Sequence, residues 1–506
     1  MQLHTLLESL ENPPLAIYNA GDQSEQIDIA ALAYDSQLVM PGGLFIAIPG
    51  AHTDGRRFLA DAAQRGAVAG LGPHIDTAGL PLPYIEVDDV HIALANLACA
   101  FYGYPAYQLC TIGVTGTDGK TTTCNLISAL LDAAGKPNGL MTTANFKLNG
   151  HEWENTTRQS TLEALEIQQF LQQMVETDVT YAIIESTSHG LDLQRVRGCA
   201  FDIGVVTNIT HEHLDFHGTI EKYRRAKARL FEMLDPAQDK GLGIQPIAIL
   251  NRDDVSYEIV KPFCRVPILD YGLDNAAGVR AVDIQLHANS TRFRAILPGA
   301  EIDVETQLVG HFNVSNCLAA IATAYYLGAK PADVALGLAG VTGVTGRMER
   351  IDVGQPFTVI VDYAHTPDSL EKVLSILRPL TEGKLLLVFG SAGERDIQKR
   401  PIMGQIAAQL SDFFVITDED PREEDREQIL REIANGAVTA GKHEGRDFLC
   451  VADRTQAIAA AFNRAQARDT VLLAGKGHEQ SIIIGSEKIP WDERRVAREQ
   501  LHMLMQ

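Results

Sequence analysis

A run of glycines, threonines and a lysine, GVTGTDGKTTT, lies between an apolar segment at residues 109–114 and a segment with helical spacing of apolar residues. The apolar segment predicts a buried strand, so the run occupies a turn from strand to helix, where free backbone N–H groups can bind an anion. Gly116 and Gly119 would let these groups approach phosphate oxygens. Lys120 would then reach the terminal phosphates, and the Thr121 hydroxyl would ligate Mg²⁺. The run therefore predicts a phosphate-binding loop.

The loop is shorter than the general phosphate-loop pattern. Val114 stands where that pattern has its first glycine. A glycine turn that only connects a strand to a helix is the alternative interpretation. Lys120 followed by Thr121, in register with the glycines, favours phosphate binding. Because phosphate loops serve many reactions, other parts of the chain have to identify the chemistry.

The composition is that of a globular protein with an excess of acidic residues. Of 506 residues, 45% are hydrophobic and 21% are charged, which is ordinary for a folded domain. The formal net charge of −22 argues against nucleic acid as a partner. The 7 cysteines are scattered without a C-x-x-C pair, which favours reduced, buried thiols. With no leader-like start and no apolar stretch long enough to span a bilayer, we expect a cytoplasmic protein without membrane insertion.

Polar clusters follow apolar runs at intervals along the chain. Examples are YAIIESTSH, IGVVTNITHEH and IAILNRDD in the middle, and FTVIVDYAHTPDSL, LLLVFGSAGERD, FFVITDEDPREED and VLLAGKGHE toward the end. Apolar strands that alternate with helical segments predict parallel α/β sheets, in which ligands bind beyond the carboxyl ends of the strands. We expect three α/β domains, at residues 1–104, 105–341 and 342–506, with a cleft between the second and the third.

Several of these motifs occur in the order found in one enzyme family. VTGTDGKTTT is followed by ESTSHGLDLQRV, NITHEHLDFHGTIEKYRRAKARLF, GHFNVSNCLAA, GRMERI, VDYAHTPDSL, GERDIQKRP and GKGHE. In the order of these motifs, residues 35–498 resemble the Mur ligases. The resemblance is strongest to those members that add the third residue of the peptidoglycan stem peptide. The resemblance implies a small N-terminal α/β domain for a UDP-sugar, a central ATPase domain with the phosphate loop and a mainly parallel sheet, and a C-terminal Rossmann-like domain that binds the amino acid.

The resemblance also implies an ATP-dependent amide ligation. In the family, the γ-phosphoryl group of ATP passes to the terminal carboxylate of UDP-N-acetylmuramoyl-L-alanyl-D-glutamate, and the amine of an amino acid then attacks the acyl phosphate. ATP, the carboxylate and the pyrophosphate of the UDP-sugar are all anionic, so metal ions and cations must hold them together. ATP, the muramoyl dipeptide, a diamino acid and Mg²⁺ are the expected partners of a monomeric protein.

Individual roles follow from the match of positions. The expected catalytic residues are Lys120, Glu185, His213 and Lys227, with Lys227 modified to N6-carboxylysine. The expected magnesium ligands are Thr121, Glu185 and His213. ATP would be bound by Gly116, Thr117, Gly119, Lys120, Thr121, Thr122, Asn316, Arg347 and Asp362. The UDP-sugar would be bound by Ser36, Ser160, Thr161, Ser188 and Arg195. The amino acid would be bound by Arg395, Glu419, Asp420, Arg422, Gly475 and Glu479.

Some of these assignments have a plainer alternative. Glu185 could form an ordinary salt bridge, because carboxylates at strand ends often pair structurally. Lys227 could be one more lysine on a solvated basic face, since arginines surround it. His189 and His211 are not assigned to the metal, because histidines near strand ends are often only hydrogen-bonded.

The substrate loop has two possible registers against the family. Either residues 155–157 or Ser160 and Thr161 supply the hydroxyls. The second is favoured, because Thr161 stands at the family's spacing before Gln168.

The identity of the incoming amino acid depends on TDEDPREED. Members of the family that add meso-diaminopimelate typically carry Asp-Asn-Pro-Arg here, and the arginine grips the distal carboxylate. Arg422 is retained in this chain, which favours meso-diaminopimelate, because lysine would leave the guanidinium without a partner. Asp420 stands in place of the asparagine and could pair with Arg422, which would admit lysine or another diamino acid. A solvated acidic loop is the plainer interpretation.

Other functions fit parts of the pattern. A ligase that adds D-alanyl-D-alanine or a folylpolyglutamate synthetase would share the phosphate loop, but GERDIQKRP and GKGHE disfavour both. A nucleotide-binding regulator without catalysis, or a simple phosphohydrolase, would not need all five of Lys120, Thr121, Glu185, His213 and Lys227.

Overall fold

Three main sheets organise the chain, and the apolar runs that precede the polar clusters are among their strands. The computed structural model describes residues 1–19, 27–50, 53–76, 79–157, 159–210, 214–274, 276–287 and 290–505, with only the backbone for 214 and 215. Within these residues, no helix is both long and apolar enough to cross a membrane. The predicted α/β class with mainly parallel sheets is confirmed.

The N-terminal sheet is small. Its strands are β1 (Ala16–Tyr18), β2 (Ala31–Ala33), β3 (Gly43–Ile46), β4 (Ala67–Gly72) and β5 (Tyr84–Glu86). They lie in the order β1-β5-β4-β3-β2, with β1 antiparallel and the others parallel. The accompanying helices are α1 (Leu3–Leu7), α2 (Leu59–Gln64) and α3 (Val90–Phe101).

The central sheet contains the longest parallel array. Its strands are β6 (Cys110–Thr115), β7 (Asn138–Met141), β8 (Asn145–Leu148), β9 (His151–Glu154), β10 (Tyr181–Glu185), β11 (Ile203–Val206), β12 (Ile247–Asn251), β13 (Ile268–Gly272), β14 (Val279–Leu286), β15 (Thr291–Leu297) and β16 (Ala300–Thr306). The order is β16-β15-β14-β13-β12-β11-β6-β10-β7-β8-β9, and only the flanking strands pair antiparallel. The helices of this part are α4 (Lys120–Ala133), α5 (Ala164–Glu176), α6 (Ser188–Asp192), α7 (Leu214–His217), α8 (Ile220–Glu232), α9 (Ser256–Val260), α10 (His311–Tyr326) and α11 (Pro331–Gly340).

The C-terminal sheet is again mostly parallel. It contains β17 (Glu349–Ile351), β18 (Thr358–Asp362), β19 (Leu385–Phe389), β20 (Phe413–Ile416), β21 (Phe448–Cys450) and β22 (Thr470–Ala474), and a separate hairpin follows, β23 (Ser481–Ile484) with β24 (Glu487–Pro490). The order is β17-β18-β22-β19-β20-β21, with β17 antiparallel. Its helices are α12 (Pro367–Leu380), α13 (Lys399–Leu410), α14 (Arg426–Thr439), α15 (Arg454–Phe462) and α16 (Glu493–Leu504).

The register of the parallel strands brings the polar clusters together. In the central sheet, Glu185 at the end of β10 lies opposite Val114 of β6, and Val206 at the end of β11 lies opposite Thr115. In the C-terminal sheet, Asp362 at the end of β18 lies opposite Ala474 of β22. Loops that follow these strands therefore emerge side by side at the carboxyl edge, where α/β sheets bind ligands.

A fully buried ion pair holds the C-terminal loops in place. Arg454 at the start of α15 and Glu493 at the start of α16 lie 2.7 Å apart, and both side chains are 0% exposed. Arg454 also donates to the carbonyl of Asp418 at 3.0 Å and to that of Ala474 at 2.7 Å. One guanidinium thus ties the segments after β20 and β22 to both helices.

Arg454→Met should destabilise the C-terminal part strongly, because it leaves the Glu493 carboxylate buried without its cation. A loss of about 3–5 kcal/mol in the free energy of unfolding is expected from urea titration. The matched control is Arg495→Met, whose ion pair with Glu499 on α16 is about half exposed and should change the free energy by about 0–1 kcal/mol. Equal effects of the two variants would contradict the role given to Arg454.

Candidate functional site

The phosphate loop joins β6 to α4, and both of its glycines need the backbone freedom of glycine. Gly116 has a φ of 151° and Gly119 a φ of 81°. A Cβ at Gly116 would lie 1.9 Å from Thr207 Oγ1, and a Cβ at Gly119 would lie 2.4 Å from Asn316 Oδ1. A larger residue would displace the side chains behind the loop, so the glycines allow the loop to lie directly against them.

Two lysines contact the carbonyl groups of the loop. Lys120 Nζ donates to the Thr117 carbonyl at 2.7 Å, and Lys227 Nζ donates to the Gly116 carbonyl at 2.5 Å. Lys227 is 1% exposed and lies 4.6 Å above the ring of Tyr223. The alternative that Lys227 belongs to a solvated basic face is therefore wrong.

Glu185 faces the first turn of α4 from the end of β10. It is 2% exposed, and its Oε2 accepts from Thr121 Oγ1 and from the backbone N–H of Thr143, both at 2.9 Å. Within the described part of the chain, these are hydroxyl and amide partners rather than the cation of a salt bridge.

The donor set around Glu185 suits a hard divalent cation. Among the described residues, no group of three or more His, Cys, Asp and Glu side chains could hold a metal on its own. Magnesium needs no such cage, since it keeps several waters and takes phosphate oxygens as ligands, and one carboxylate with one hydroxyl fits that preference. His213, the third expected ligand, and His211 lie outside the described residues.

A cavity of about 810 Å³ opens in front of the loop and is lined from two sheets. Helix α12 and the end of β18 form the wall opposite the loop. The structure brings many of the expected residues into this lining, namely Thr117, Gly119, Lys120, Thr122, Ser160, Glu185, Asn316, Arg347 and Asp362. Gly116 and Thr121 lie immediately behind them, in the loop and the first turn of α4.

Aromatic and charged side chains from the C-terminal part stack at one side of this cavity. The Arg347 guanidinium lies 4.7 Å from the centre of the Tyr363 ring, and that ring lies 4.9 Å from His478. Burial, followed by the charge of Arg347, lowers the pKa of His478 to about 3, so the imidazole is neutral at pH 7. Asp362 accepts from two backbone N–H groups, at 2.7 and 2.8 Å, while burial raises the pKa of its carboxyl.

A second cavity of about 300 Å³ adjoins the first. Thr143, Ser160 and Tyr363 line both cavities. The second is completed by the substrate loop and by the segment around β23, at Asn155, Thr156, His478, Glu479, Gln480, Ser481, Lys488 and Pro490. Both registers considered for the substrate loop thus place polar side chains at this cavity.

The other residues expected at the UDP-sugar surround the end of β10 or lie in the N-terminal part. Thr161 Oγ1 donates to the Glu185 carbonyl at 2.8 Å, and Arg195 donates to the Thr161 carbonyl at 3.0 Å. Ser188 starts α6 and is 1% exposed. Ser36 begins a short 3₁₀ helix, Ser36–Leu38, and is 5% exposed.

The residues expected at the amino acid form a charged cluster at the ends of β20 and β22. Lys476 is fully buried and pairs with Asp420 Oδ1 at 2.9 Å and with Glu479 Oε2 at 2.5 Å. The ion pair of Arg422 is with Glu394, at 3.8 Å. Asp420 thus has Lys476 as an ion-pair partner, whereas the sequence had left open a pairing with Arg422.

Glu419 and Arg395 differ sharply in exposure within this cluster. Glu419 is 6% exposed, and its Oε2 has no hydrogen-bond partner among the described residues. Burial raises the pKa of the Glu419 carboxyl. Gly475 lies beside it with a φ of 104°, and Arg395 is exposed. The interpretation of TDEDPREED as a solvated acidic loop is wrong at positions 417–421, which are all buried.

Comparison with known proteins identifies the family. Three family models match the chain, described as the Mur ligase family catalytic domain over residues 28–102, the Mur ligase middle domain over 114–324, and the Mur ligase glutamate ligase domain over 346–477. The chain is 47% identical to the UDP-N-acetylmuramyl-tripeptide synthetase of Roseiflexus sp. strain RS-1, with 99% of both chains covered. The chain belongs to the Mur ligase family.

Two further relatives of this Mur ligase share the name of a 2,6-diaminopimelate ligase. It is 41% identical to the UDP-N-acetylmuramoyl-L-alanyl-D-glutamate–2,6-diaminopimelate ligase of Geobacillus kaustophilus, covering 98% of this chain and 99% of the relative. A solved structure of a ligase with that same name is 30% identical and matches with a TM-score of 0.64, over 96% of this chain and 97% of the other.

Several residues of this Mur ligase at the cavities had not been singled out from the sequence. His478 belongs to GKGHE and Asp118 to the phosphate loop, so motif membership was a signal that could have found them. Tyr363 stands next to Asp362 in DYAHTPDSL. Lys372 on α12 carried no local signal, because its contact with the loop depends on how the two sheets face each other.

The buried carboxyl of Glu419 predicts a pH-dependent cost to stability. Its folded-state pKa is raised, so the folded protein binds the proton more tightly than the unfolded chain, and stability falls as the pH rises above the unfolded-state pKa. Glu419→Gln should therefore raise the free energy of unfolding of the ligand-free protein at pH 7.5 by about 1–3 kcal/mol. The gain should vanish at pH 4 in urea titrations.

The matched control is Glu423→Gln, an exposed carboxylate of the same segment. It should leave the free energy of unfolding unchanged at both pH values. A Glu419→Gln variant that is less stable than the parent at pH 7.5 would contradict the prediction.

Proposed function

We propose that this Mur ligase couples the cleavage of ATP to ADP and phosphate to the addition of meso-diaminopimelate to UDP-N-acetylmuramoyl-L-alanyl-D-glutamate, through an acyl phosphate. The observation that carries the proposal is the pair of adjoining cavities, which runs from the phosphate loop to Glu479, the member of the charged cluster that lines the second cavity. The names of the relatives support the same reaction. The product would be ADP, phosphate and the muramoyl tripeptide.

The phosphate loop would hold the triphosphate. The N-terminus of α4 presents backbone N–H groups, and Lys120 can exchange its contact with the Thr117 carbonyl for the terminal phosphate. Thr121 and Glu185, together with His213, would hold Mg²⁺. When bound, Mg²⁺ supplies positive charge that offsets the phosphate oxygens.

Residues from both sheets would bind the rest of the nucleotide. Asn316 on α10 lies behind Gly119, and Asp362 lies across the same cavity. Asp362 offers carboxylate oxygens to ribose hydroxyls, and Arg347 offers a planar guanidinium to phosphate. The nucleotide would therefore bridge the central and C-terminal parts.

The muramoyl dipeptide would enter from the N-terminal side. Ser36 would contact the uridine, and Ser160, Thr161, Ser188 and Arg195 would contact the sugar and dipeptide, because hydroxyls and a guanidinium suit phosphate and carboxylate oxygens. Ser160 lines both cavities, so a carboxylate held near it would lie between the nucleotide and the amine. Phosphorylation of that carboxylate gives it a leaving group that the amine can displace.

Lys227 would act as a carbamate. Its Nζ lies against the Gly116 carbonyl, and its side chain is almost fully buried beside the phosphate loop. Reaction with CO₂ would convert the ammonium into an anion at this position. That anion could orient a magnesium ion that has few other carboxylates nearby.

The charged cluster after β20 and β22 would select the amino acid. Arg422 pairs only loosely with Glu394, at 3.8 Å, and its Nε lacks a hydrogen-bond partner among the described residues, so it can receive the distal carboxylate. Glu419 and Glu479 would receive the distal ammonium, near Gly475, with Arg395 at the exposed side. The pairing of Asp420 with Lys476 leaves Arg422 available, which favours diaminopimelate over lysine.

We further propose the organisation that accompanies this chemistry. Residues 1–104 would bind the UDP-sugar, residues 105–341 would bind ATP, and residues 342–506 would bind the amino acid. The enzyme would act as a monomer in the cytoplasm, where its precursors are made.

The proposal is tested by phosphate release across a panel of amino acids, with mass spectrometry of the product. Release should require both the muramoyl dipeptide and an amino acid, and kcat/KM should favour meso-diaminopimelate over lysine. Arg422→Ala should reduce that preference by at least about tenfold, or 1.4 kcal/mol, because the variant loses a bidentate contact. Arg431→Ala, an exposed arginine on α14, is the control.

Two results would count against parts of this proposal. Phosphate release without the dipeptide would indicate a simple phosphohydrolase. A parent enzyme that prefers lysine would overturn the assignment of the amino acid while leaving the ligation intact.

Lys227→Ala should be nearly inactive, because the position loses both the amine and the carbamate. Short carboxylic acids such as acetate should restore part of the turnover by placing a carboxylate in the vacated space. Lys222→Ala, an exposed lysine of the same helix, is the control and should retain parental turnover. Removal of CO₂ that leaves the parent's turnover unchanged, together with no rescue, would contradict the carbamate.

A further inference from the structure

The phosphate loop contains an acidic residue, Asp118, although the loop is expected to bind an anion. Asp118 lies between Thr117 and Gly119, and its side chain is 40% exposed at the lining of the 810 Å³ cavity. A triphosphate in that cavity would meet a carboxylate in the loop that has to bind it. Like charges at such short range repel each other.

Hydrogen bonds hold the backbone of Asp118 in place. Its N–H donates to Asn208 Oδ1 at 2.9 Å, and its carbonyl accepts from Thr207 Oγ1 at 2.6 Å and from Asn208 Nδ2 at 3.1 Å. These bonds anchor the residue to the segment after β11. The carboxylate therefore starts from a fixed point at the lining of the cavity.

The neutralising cation comes from the other side of the cavity. Lys372 on α12 lies 2.9 Å from Asp118 Oδ2, and it also pairs with Asp368 one turn earlier at 2.6 Å. Although burial acts in the opposite direction on each group, the pair lowers the pKa of Asp118 and raises the pKa of Lys372. Both groups are charged at neutral pH.

Helix α12 is also a wall of the nucleotide cavity. Ser369, Val373 and Ile376 of this helix line it together with Lys372. The ion pair therefore bridges the phosphate loop and the wall opposite. This single contact between Asp118 and Lys372 joins the phosphate loop of the central part to α12 of the C-terminal part.

We propose that Lys372 is a positioning residue for the nucleotide, which neutralises Asp118 and so docks α12 against the phosphate loop in a form that accepts MgATP. The inference rests on the proposed nucleotide site. Loss of Lys372 alone would remove the cation in direct contact with the carboxylate that faces the triphosphate, leaving the more distant charges of Lys120 and Arg347. Loss of both charges would remove that repulsion.

The test is a double-mutant cycle with Lys372→Met and Asp118→Asn. Lys372→Met should raise the Kd for MgATP, measured by calorimetry, and the KM for ATP by about tenfold or more, while Asp118→Asn should change each by less than about threefold. The double variant should recover most of the loss. The KM for the amino acid should stay at the parental value in all three.

The control is Arg378→Met on the same helix. Its ion pair with Asp412 has similar exposure but lies wholly within the C-terminal part. It should lower thermal stability without changing the Kd for MgATP. Thermal unfolding of every ligand-free variant shows whether the fold is retained.

The outcomes separate this inference from the proposed function. A parent that binds no MgATP overturns the nucleotide site itself. A parent that binds MgATP, with a Lys372→Met defect that Asp118→Asn fails to rescue, overturns the pairing and indicates direct contact between Lys372 and the nucleotide. A Lys372→Met variant with parental Kd and KM overturns the positioning role.

Discussion

The register between parallel strands is the constraint on which both cavities depend. Glu185 can reach Thr121 only because β10 and β6 end at the same level, so the carboxylate meets the first turn of α4. The same alignment at β18 and β22 sets Asp362 beside the segment that carries Lys476 and His478. A slip of one residue in either pair would turn these side chains to the opposite face of the sheet.

Packing at the phosphate loop adds a second constraint. The loop approaches Thr207 and Asn316 so closely that a Cβ on either glycine would overlap their side chains. Lys120 and the unmodified Lys227 each donate to a carbonyl of the loop. The N–H groups of Thr117 and Asp118 are bonded to Asn208, so the first turn of α4 supplies the backbone donors without intrahelical partners. Such donors at a helix N-terminus are what an anion site requires.

Much of this arrangement follows from local sequence, and some of it does not. Apolar runs bounded by polar clusters predicted the strands around β6, β10 and β18, and the glycine spacing predicted the turn before α4. The burial of Lys227 had no local signal, because arginines at neighbouring positions made a solvated face equally natural. The partner of Asp420 was also hidden, since Lys476 lies 56 residues away and meets it only after the sheet forms. Local chemistry predicts elements, whereas the pairing of buried charges depends on which elements become neighbours.

The first residues of the C-terminal part pack against the segment that lines the proposed amino-acid site. Gly346 has a φ of 66°, and a Cβ there would lie 2.2 Å from the backbone N of His478. Gly346 thus packs directly on the GKGHE segment, whose His478 and Glu479 line the second cavity. For this reason the C-terminal part is not a freely exchangeable module. A chimaera that takes this part from another family member must therefore be joined before Gly346, or the graft will distort the pocket that it was meant to transfer.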